Sequence, residues 1–598
     1  MGAAFNAAPV FQGGIDMKKA KIPMDHPRPA LYRAEWKNLN GAWQFAFDDK
    51  DKGICEHWEQ KKLAATIMVP YCYQSKLSGI GDKSYHPVVW YKRQLPFIEA
   101  WRNKQVLLHF EGVDYEFDLW INEIHVGHHR GGNVRASFEI SRYLHDGDNT
   151  VSLRVCDEHD WSKPQGKQAP IDIIDRCWYT QTTGIWKSVW LEVVPKTHLS
   201  SIRITPDIDR KEVVLELEIS RYVQGVKAHV EVQYHKDVVL QKTIFPKSNR
   251  IIEKIAIEEP DYVDELHYWT PERPELFDLF LTIEDPCGDC DDVQTYFGMR
   301  KIEARNGEIY LNNKPYYVRL VLDQGYWLDS LMTPPENESL KNDILLTKSF
   351  GFNGARKHQK IEDERYYYWA DQLGLLVWAE MPSSYAFCTN EITAFTAEWM
   401  AVVSQLYNYP CIMTWVPFNE SWGIRNVLTN SRQKHFAESA YYLTKAIDNT
   451  RLVSTNDGWE QVTSDICGIH DYYGDGEAFL KKYRDMDTLL QRDAQGRKIY
   501  ADGYAFAGQP IILSEFGGIA FGKDQDGAWG YNETANSKET LLARIRNVTQ
   551  PIADHPRITG YCYTQLTDVM QEINGLADAN HIPKLDADKV KEIFENPK

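Results

Sequence analysis

Two glutamates of this 598-residue chain each end an apolar run of the kind that forms a buried strand. Residues 412–418 are mostly β-branched or aromatic, which predicts such a strand, and Asn419 and Glu420 come at its end. Residues 510–514 repeat the design and lead into Glu515, and two glycines after it allow a sharp turn. A carboxylate is costly to bury unless it is paired or takes part in a reaction. The two glutamates therefore suggest an acid and a nucleophile that face one substrate bond.

The sequence around both glutamates alternates between strand and helix patterns from about residue 301 onwards. The predicted strands are 316–324, 353–359, 375–381, 412–420, 452–457, 465–473, 510–518 and 560–568. Eight strands with helical connections in about 300 residues predict a (β/α)8 TIM barrel. In that fold the carboxyl ends of the strands carry the chemistry, and Glu420 and Glu515 end the fourth and seventh predicted strands.

The chain before the predicted barrel has the composition of β-sandwiches. Residues 30–195 alternate short aromatic or β-branched runs with Gly, Asp and Asn turns, which predicts an all-β sandwich. Residues 196–300 contain strand patterns at the spacing of an immunoglobulin-like sandwich. The predicted division is therefore a leader or extended segment at 1–29, two sandwiches, and a barrel at 301–598.

Charge and cysteine content exclude several kinds of partner. The net charge of −18 and a pI near 5.5 argue against nucleic acid and anionic membranes, which need basic patches. No apolar run approaches the roughly 18 residues of a membrane span. The ten cysteines are scattered and form no zinc pattern, and no signal peptide is visible. We expect a cytoplasmic protein, with a periplasmic or secreted one as the alternative if a signal has been removed.

Five motifs occur in a fixed order along the chain. They are W-x-N-x-x-x-x-G at 120–127, G-F-N-x-x-R at 351–356, L-G-L-L-V-W at 373–378, N-E-S-W-G at 419–423 and S-E-F-G at 514–517. Together they resemble glycoside hydrolase family 2, the family of β-galactosidases, β-glucuronidases and β-mannosidases. The resemblance covers nearly the whole chain. It implies a jelly-roll sugar-binding domain, an immunoglobulin-like sandwich and a catalytic TIM barrel, in that order.

The resemblance also implies catalytic roles. Glu420 is expected to be the general acid/base and Glu515 the nucleophile of a retaining mechanism, with carboxyls about 5–5.5 Å apart. Asn419 resembles the asparagine that hydrogen-bonds the sugar 2-hydroxyl. Arg356 is expected to orient the nucleophile and keep it ionised, with a plain ion pair at the barrel mouth as the alternative.

Further substrate-binding positions follow from the same resemblance. His470 and Tyr472 end the sixth predicted strand, and Tyr472 is expected to hydrogen-bond the nucleophile, with Tyr473 as its rival. Trp422 is expected to give Glu420 a partly apolar surrounding that keeps it protonated.

Three more positions are expected near the sugar, each with an alternative or only an approximate correspondence. His358 either contacts the ligand or packs in the wall. Asp323, at the end of the first strand, either grips two sugar hydroxyls or caps the local structure. Tyr563, at the end of the eighth strand, stands approximately where many members have a tryptophan floor.

Departures from the family pattern bear on the substrate. Asn574 stands where β-glucuronidases have a lysine for the uronate carboxylate, which lowers the expectation of an acidic sugar. Ser384 and Ala386 stand where metal-dependent galactosidases have a glutamate and a histidine, so no metal or other cofactor is expected. The sequence favours a retaining exo-glycosidase acting on a neutral sugar of an oligosaccharide or glycoside, most of all a β-galactosidase.

Other readings stay open at this point. Within the family, β-glucuronidase, β-mannosidase, α-L-arabinofuranosidase and β-galactofuranosidase are alternatives. From another class, the chain could be a carbohydrate-binding protein without turnover, although both glutamates and Asn419 argue against this. The resemblance also makes a homodimer the expected assembly.

Overall fold

The computed structural model describes residues 22–169, 174–257, 267–491, 493–494, 496–522 and 527–595. Residues 1–21 of the predicted leader lie outside this range. None of the helices in the described part is long and apolar enough to cross a membrane.

The first domain is a β-sandwich of antiparallel strands. Its strands are β1 (Trp36–Asn38), β2 (Gly41–Phe47), β3 (Ala65–Val69), β4 (Val88–Leu95), β5 (Gln105–Phe110), β6 (Val113–Asp114), β7 (Glu116–Ile121), β8 (Ile124–Arg130), β9 (Ala136–Glu139), β10 (Asn149–Cys156), β11 (Gly184–Ile185) and β12 (Val189–Val194). They form sheets of order β3-β2-β4-β10-β7-β8 and β1-β12-β5-β9, with a β11-β6 pair. Alternate residues such as those of β7 point into one apolar core between the sheets.

The second domain is a smaller sandwich with its own core. Its strands are β13 (Leu199–Asp207), β14 (Glu212–Ile219), β15 (Lys227–Tyr234), β16 (Asp237–Ile244), β17 (Arg250–Ala256), β18 (Phe277–Glu284) and β19 (Cys290–Phe297). They form antiparallel sheets of order β13-β14-β17 and β16-β15-β18-β19. The alternating burial along β14 and β18 explains why the sequence shows a strict period of two here.

The third domain contains the remaining strands and all eight α-helices of the described chain. Its strands are β20 (Ile302–Arg305), β21 (Glu308–Leu311), β22 (Lys314–Pro315), β23 (Val318–Asp323), β24 (Gly354–Lys357), β25 (Leu376–Glu380), β26 (Ile412–Val416), β27 (Phe418–Asn419), β28 (Leu452–Val453), β29 (Asn456–Asp457), β30 (Cys467–His470), β31 (Asp493–Ala494), β32 (Arg497–Lys498), β33 (Ile511–Gly517) and β34 (Ile558–Thr564). Its helices are α1 (Ser339–Ser349), α2 (Glu364–Leu373), α3 (Thr389–Leu406), α4 (Ser431–Ile447), α5 (Gly476–Tyr483), α6 (Met486–Gln491), α7 (Lys538–Ala553) and α8 (Ala587–Glu595).

Eight of these strands form one curled parallel sheet in the order β28-β26-β25-β24-β23-β34-β33-β30. The order is cyclic along the chain, as in a TIM barrel, and β28 and β30 are the two edge strands of the sheet. Together with the two sandwiches before it, this sheet confirms the predicted fold class. Strands such as β25 and β26 are buried throughout, as parallel strands covered by helices must be. Asp363, Asn430 and Ser537 cap helices α2, α4 and α7 with their side chains. The carboxyl ends of all eight strands meet at one mouth.

Candidate active site

Glu420 leaves the barrel wall in a left-handed turn. Its backbone N–H donates to the carbonyl oxygen of Asp457 at 2.9 Å, which ties the ends of β27 and β29 together. Glu420 and Ser421 have φ values of 51° and 60°, a conformation that costs a non-glycine residue about 1–2 kcal/mol. The Glu420 side chain is 19% exposed. The turn therefore lifts this carboxylate out of the wall and into the mouth.

Glu515 projects from β33 toward Glu420. One carboxylate oxygen of each glutamate and one ring nitrogen of His470 all lie within 4.8 Å of one another. The Glu515 side chain is only 4% exposed, so the two glutamates differ in their access to water. Directly after Glu515 the chain turns at Gly517 and Gly518, which have φ values of 86° and 62°. The structure thus brings together the two carboxylates that the sequence predicted to face one bond.

Arg356, at the end of β24, lies fully buried beneath these carboxylates. Its Nη1 donates to Glu515 Oε1 at 3.1 Å, and its Nη2 donates to Asn419 Oδ1 at 2.6 Å. The same guanidinium pairs with Glu380 at 2.8 Å and with Asp457 at 2.8 Å. Burial opposes the charge, but the carboxylates outweigh it and hold the pKa of Arg356 well above its usual range. One permanent cation therefore fixes both Glu515 and Asn419.

His470, at the end of β30, bridges the two glutamates. Its Nδ1 lies 2.7 Å from Glu420 Oε1 and 3.5 Å from Glu515 Oε1, and its Nε2 lies 3.0 Å from Asp457 Oδ2. Burial alone would lower the pKa of this imidazole. The carboxylates of Glu515, Asp457 and Glu420 reverse that effect and raise the pKa to about 10. His470 is therefore a protonated imidazole that donates to Glu420 through Nδ1 and to Asp457 through Nε2.

Tyr472 holds the other oxygen of Glu515. Its hydroxyl donates to Glu515 Oε2 at 2.5 Å, whereas the hydroxyl of Tyr473 donates to Asp471. The ring of Tyr472 stacks on Tyr531, with centroids 3.5 Å apart and parallel planes. Burial, followed by the charge of Glu515, raises the pKa of Tyr472 well above its usual value, so the hydroxyl keeps its proton. Glu515 thus accepts hydrogen bonds from Tyr472 and Arg356 at once.

His358 belongs to the wall of the site. Its Nδ1 lies 3.2 Å from Glu380 Oε2, the carboxylate that also binds Arg356. Burial lowers the pKa of His358 well below its usual value, and the positive charges of Lys167 and Arg356 add to that effect. This imidazole is therefore neutral.

Aromatic side chains from two domains line the mouth. Trp178 of the first domain stacks on Trp422 with centroids 5.6 Å apart and planes at 7°, and Tyr385 packs against both rings. The backbone N–H groups of Gln165 and Gly166 donate to the carbonyl oxygen of Ser383 at 3.1 and 3.0 Å. We call residues 161–169 the docking segment, because they fasten the first domain to the barrel mouth. The mouth is thus shaped by both domains.

Glu420, His470 and Glu515 are the one group in the described chain whose oxygen and nitrogen atoms are close enough to hold a metal ion. Coordination through Nδ1 requires a deprotonated imidazole. The pKa of His470 is raised to about 10, and Nδ1 lies at hydrogen-bonding distance from Glu420. In the described structure the three side chains form an ion-paired network.

Comparison with protein families matches three consecutive parts of the chain. Residues 36–195 match the sugar binding domain of glycosyl hydrolases family 2, residues 197–300 match a second family 2 domain, and residues 302–543 match the family 2 TIM barrel domain. The chain belongs to glycoside hydrolase family 2.

Individual relatives carry different names. A β-galactosidase from Photobacterium profundum is 25% identical over 67% of this chain and 41% of its own length. A putative β-glucuronidase from Formosa agariphila is 27% identical over 56% of this chain and 40% of its own length. This family 2 chain thus spans about two fifths of these relatives. A solved β-glucuronidase from Ruminococcus gnavus, in complex with D-glucuronic acid, shares the fold with a TM-score of 0.77 and 17% identity, over 94% of this chain and 98% of that one.

Two of the predicted sugar-contacting residues in this family 2 barrel point away from the mouth. The ring of Tyr563 packs between Phe516 of β33, at a centroid distance of 5.4 Å, and Phe594 of helix α8, at 5.2 Å. Side chains alternate along a strand, and it is the neighbouring Cys562 and Thr564 that face Arg356 and Tyr472. The expectation that Tyr563 forms the floor for the sugar is therefore wrong.

Asp323 also lies on the helix side of the sheet. Its Oδ2 accepts from Lys357 Nζ at 2.8 Å, and its Oδ1 accepts from the backbone N–H of Gly325 at 2.8 Å. The Lys357 ammonium lies over the ring of Tyr366 on helix α2, 4.5 Å from its centroid. Asp323 therefore caps local structure and pairs with a buried lysine, which was the alternative, and it does not grip sugar hydroxyls.

Several members of the site were not predicted from the sequence. Asp457 and Glu380 anchor Arg356, and both end barrel strands, so their position was a signal that could have found them. Tyr531 and Trp178 come from loops far away in the sequence and carry no motif. Only the folded chain brings them to the mouth.

Asn574 lies at the rim of the mouth. Its Nδ2 donates to Glu572 Oε1 at 3.1 Å, and the hydroxyl of Tyr179 donates to Glu572 Oε2 at 2.5 Å. Burial raises the pKa of Tyr531 well above its usual value, and the charges of Glu572, Glu515 and Glu420 add to that effect. Asn574, Glu572 and Tyr179 thus form a buried hydrogen-bonded group, and Tyr531 stacks on Tyr472, which binds Glu515.

Proposed function

We propose that the protein is a retaining exo-glycosidase that works by double displacement through a glycosyl-enzyme. The observation that carries the proposal is the approach of Glu420 and Glu515, whose closest carboxylate oxygens lie within 4.8 Å. Retaining glycosidases hold their two carboxyls about 5–5.5 Å apart, whereas inverting enzymes leave about 6.5–9.5 Å for a water molecule. The short separation supports direct attack by one carboxylate on the sugar.

In the first step, an oxygen of Glu515 forms a bond to the anomeric carbon while the bond from that carbon to the leaving oxygen breaks. Arg356 and Tyr472 hold Glu515 in place for the attack. The leaving oxygen takes a proton from Glu420. Because protonated His470 lies 2.7 Å from Glu420, this pair stores the proton that is needed.

In the second step, Glu420 takes a proton from a water molecule, whose oxygen bonds to the anomeric carbon. The ester bond to Glu515 breaks, and the nucleophile returns as a carboxylate. Asn419 is anchored by Arg356 through its Oδ1, so its amide N–H groups are available to a sugar hydroxyl. That contact stabilises the oxocarbenium-like transition state more than the ground state.

The first candidate for the sugar is a neutral, galactose-like one. Asn574 supplies no cation where a uronate-binding lysine is expected, and its amide is engaged with Glu572. Relatives named β-galactosidase are consistent with this choice. The second candidate is an anionic glycoside such as a β-glucuronide, and the unpaired ammonium of Lys167 in the docking segment favours it over the neutral sugar.

Azide rescue tests the two carboxylates separately. We expect Glu515→Ala to lose turnover by about 10⁴-fold or more and to yield an α-configured glycosyl azide when azide is added. Glu420→Ala is expected to keep its first step with nitrophenyl leaving groups, lose it with alkyl groups, and yield a β-configured azide. Product configuration is read by NMR.

The same experiment identifies the contrary cases. Equal residual activity of Glu420→Ala with good and poor leaving groups would contradict its role as the acid. Wild-type protein that binds sugars but releases no aglycone from any pyranoside or furanoside would show a carbohydrate-binding protein without turnover.

A further inference from the structure

Lys167 is a buried lysine without an anionic partner. Five lysines of the described chain are buried: Lys163, Lys167, Lys187, Lys357 and Lys360. Four of them have an acceptor for the ammonium: Lys163 pairs with Asp157, Lys187 with the backbone carbonyl of Glu362, Lys357 with Asp323 and Lys360 with Glu362. For Lys167, 5% exposed, the described residues provide neither a hydrogen bond nor an ion pair to Nζ. The aliphatic part of the side chain is buried, but Nζ keeps some exposure, so water or a bound anion can reach the ammonium.

The backbone of Lys167 is held firmly at the barrel mouth. Its carbonyl oxygen accepts from Tyr179 N at 2.9 Å, and the neighbouring Gln168 donates to Asp114 at 2.7 Å. On its other side, Gly166 has a φ of 64°, and a Cβ there would lie 2.4 Å from the carbonyl oxygen of Gln359. The docking segment therefore fixes where the ammonium can reach.

The ammonium of Lys167 lies close to Tyr179 and to groups that surround the two glutamates. It lies 5.9 Å from the ring centroid of Tyr179, whose hydroxyl donates to Glu572 on the pocket rim. Burial lowers the pKa of His358, and the charge of Lys167 adds to that effect. Burial raises the pKa of Cys177 to about 11, an effect that the charge of Lys167 opposes and the charges of Glu572 and Glu420 support. Glu572 itself is occupied by Tyr179 and Asn574. The cation thus borders the pocket from the side of the first domain, with no local carboxylate bound to it.

We propose that Lys167 binds an anionic substituent of the substrate, a carboxylate or a sulfate, and so selects a charged glycoside. This inference rests on the proposed glycosidase function for its turnover test. The lysine replaces, from a different domain, the cation that Asn574 fails to supply. A charge-assisted hydrogen bond in a site shielded from water gives selectivity over the uncharged analogue.

The test compares nitrophenyl β-D-glucuronide, a 6-sulfated nitrophenyl β-D-galactoside and the unsubstituted β-D-galactoside. For Lys167→Gln we expect kcat/KM to fall about 30- to 100-fold more on the preferred charged substrate than on the neutral one. Lys167→Arg should keep most of the selectivity. Lys62→Gln removes an equal charge from the surface and should not change the ratio. The charged substrate that is preferred identifies the group as carboxylate or sulfate.

A binding measurement separates this inference from the proposed reaction. Wild-type protein should be stabilised more by D-glucuronic acid or galactose 6-sulfate than by galactose in a thermal shift assay, and Lys167→Gln should lose the difference. If this holds without any turnover, Lys167 binds an anion and the glycosidase proposal fails. If turnover is present but Lys167→Gln reduces charged and neutral substrates equally, the role of Lys167 is structural and the inference is overturned.

Discussion

At the scale of single residues, His470 is the protonated group between the carboxylates of the site. Its imidazole lies between Glu420, Glu515 and Asp457, and these carboxylates raise its pKa to about 10. From its position at the end of a predicted strand, His470 was expected only to lie near the substrate. The structure gives it the geometry of a positioning residue that acts through Glu420, because Nδ1 donates to the proposed acid/base.

Replacement of His470 by glutamine should shift the pH profile. The pair of His470 and Glu420 keeps a proton up to about pH 10 because of the raised pKa of His470. Without the imidazolium this stored proton is absent, so the basic limb of kcat/KM for alkyl glycosides should move down by one unit or more. Nitrophenyl glycosides, which need little protonation, should show a smaller shift. The control is His125→Gln, a histidine on the surface of the first domain. An unchanged basic limb would contradict this role.

The same variant has a consequence for stability. The folded-state pKa of His470 lies above its ordinary value of 6.5, so its stabilising effect is complete below about pH 6.5 and is lost as the pH rises towards 10. We expect the difference in melting temperature between wild type and His470→Gln to be largest near pH 6 and to shrink up to pH 10. A difference independent of pH would argue for packing alone.

At the scale of elements, the turn after β33 fixes the direction of Glu515. Gly517 has a φ of 86°, and a Cβ there would lie 2.4 Å from Cε2 of Tyr563. The tyrosine that was expected to bind sugar instead supports this turn from behind. The position of Glu515 thus depends on the contact between β33 and β34.

Substitution of Gly517 by alanine should disturb both fold and activity. The left-handed backbone and the clash with Tyr563 together should cost about 2–4 kcal/mol of unfolding free energy, and kcat should fall with it. Gly508→Ala is the matched control, because Gly508 has a φ of 90° but no atom within 4 Å of the added Cβ. It should cost only the backbone strain of about 1–2 kcal/mol and keep kcat. Equal effects of both variants would show that the contact with Tyr563 is unimportant.

The elements show how far the sequence could predict the fold and the site. Strand ends located Glu420, Glu515, Asn419 and Arg356 because apolar runs followed by polar residues are visible along the chain. Buried parallel strands are apolar on both faces, so the sequence gives no signal for which side chains point inward. Tyr563 was therefore assigned to the wrong face of its strand.

At the scale of the whole molecule, the pocket is built where two domains meet. The docking segment and Trp178 come from the first domain, and Trp422 and Tyr385 come from the barrel. More than 200 residues separate these two groups along the chain, and no local pattern in a single sequence reports such a contact. That is why Lys167 and Trp178 could not be predicted.

Gly166→Ala tests whether docking of the first domain matters for the substrate. The added Cβ would lie 2.4 Å from the carbonyl oxygen of Gln359, so the docking segment must move away from the mouth. We expect KM to rise about tenfold or more, with a smaller change in kcat. The matched control is Gly147→Ala in the same domain, where φ is 100° and no atom lies within 4 Å. A rise in KM that both variants share would contradict the role of docking.

Because two domains supply the residues at the opening, substrate selection and the proposed bond cleavage depend on different parts of the chain. In the proposed reaction, bond cleavage depends on Glu420 and Glu515 of the barrel, whereas the side chains at the opening belong partly to the first domain. Selection acting on a loop of that unit can thus change the accepted glycoside without touching the residues that break the bond. Chimeras that exchange residues 161–183 between relatives of different substrate preference should therefore change which glycoside is accepted.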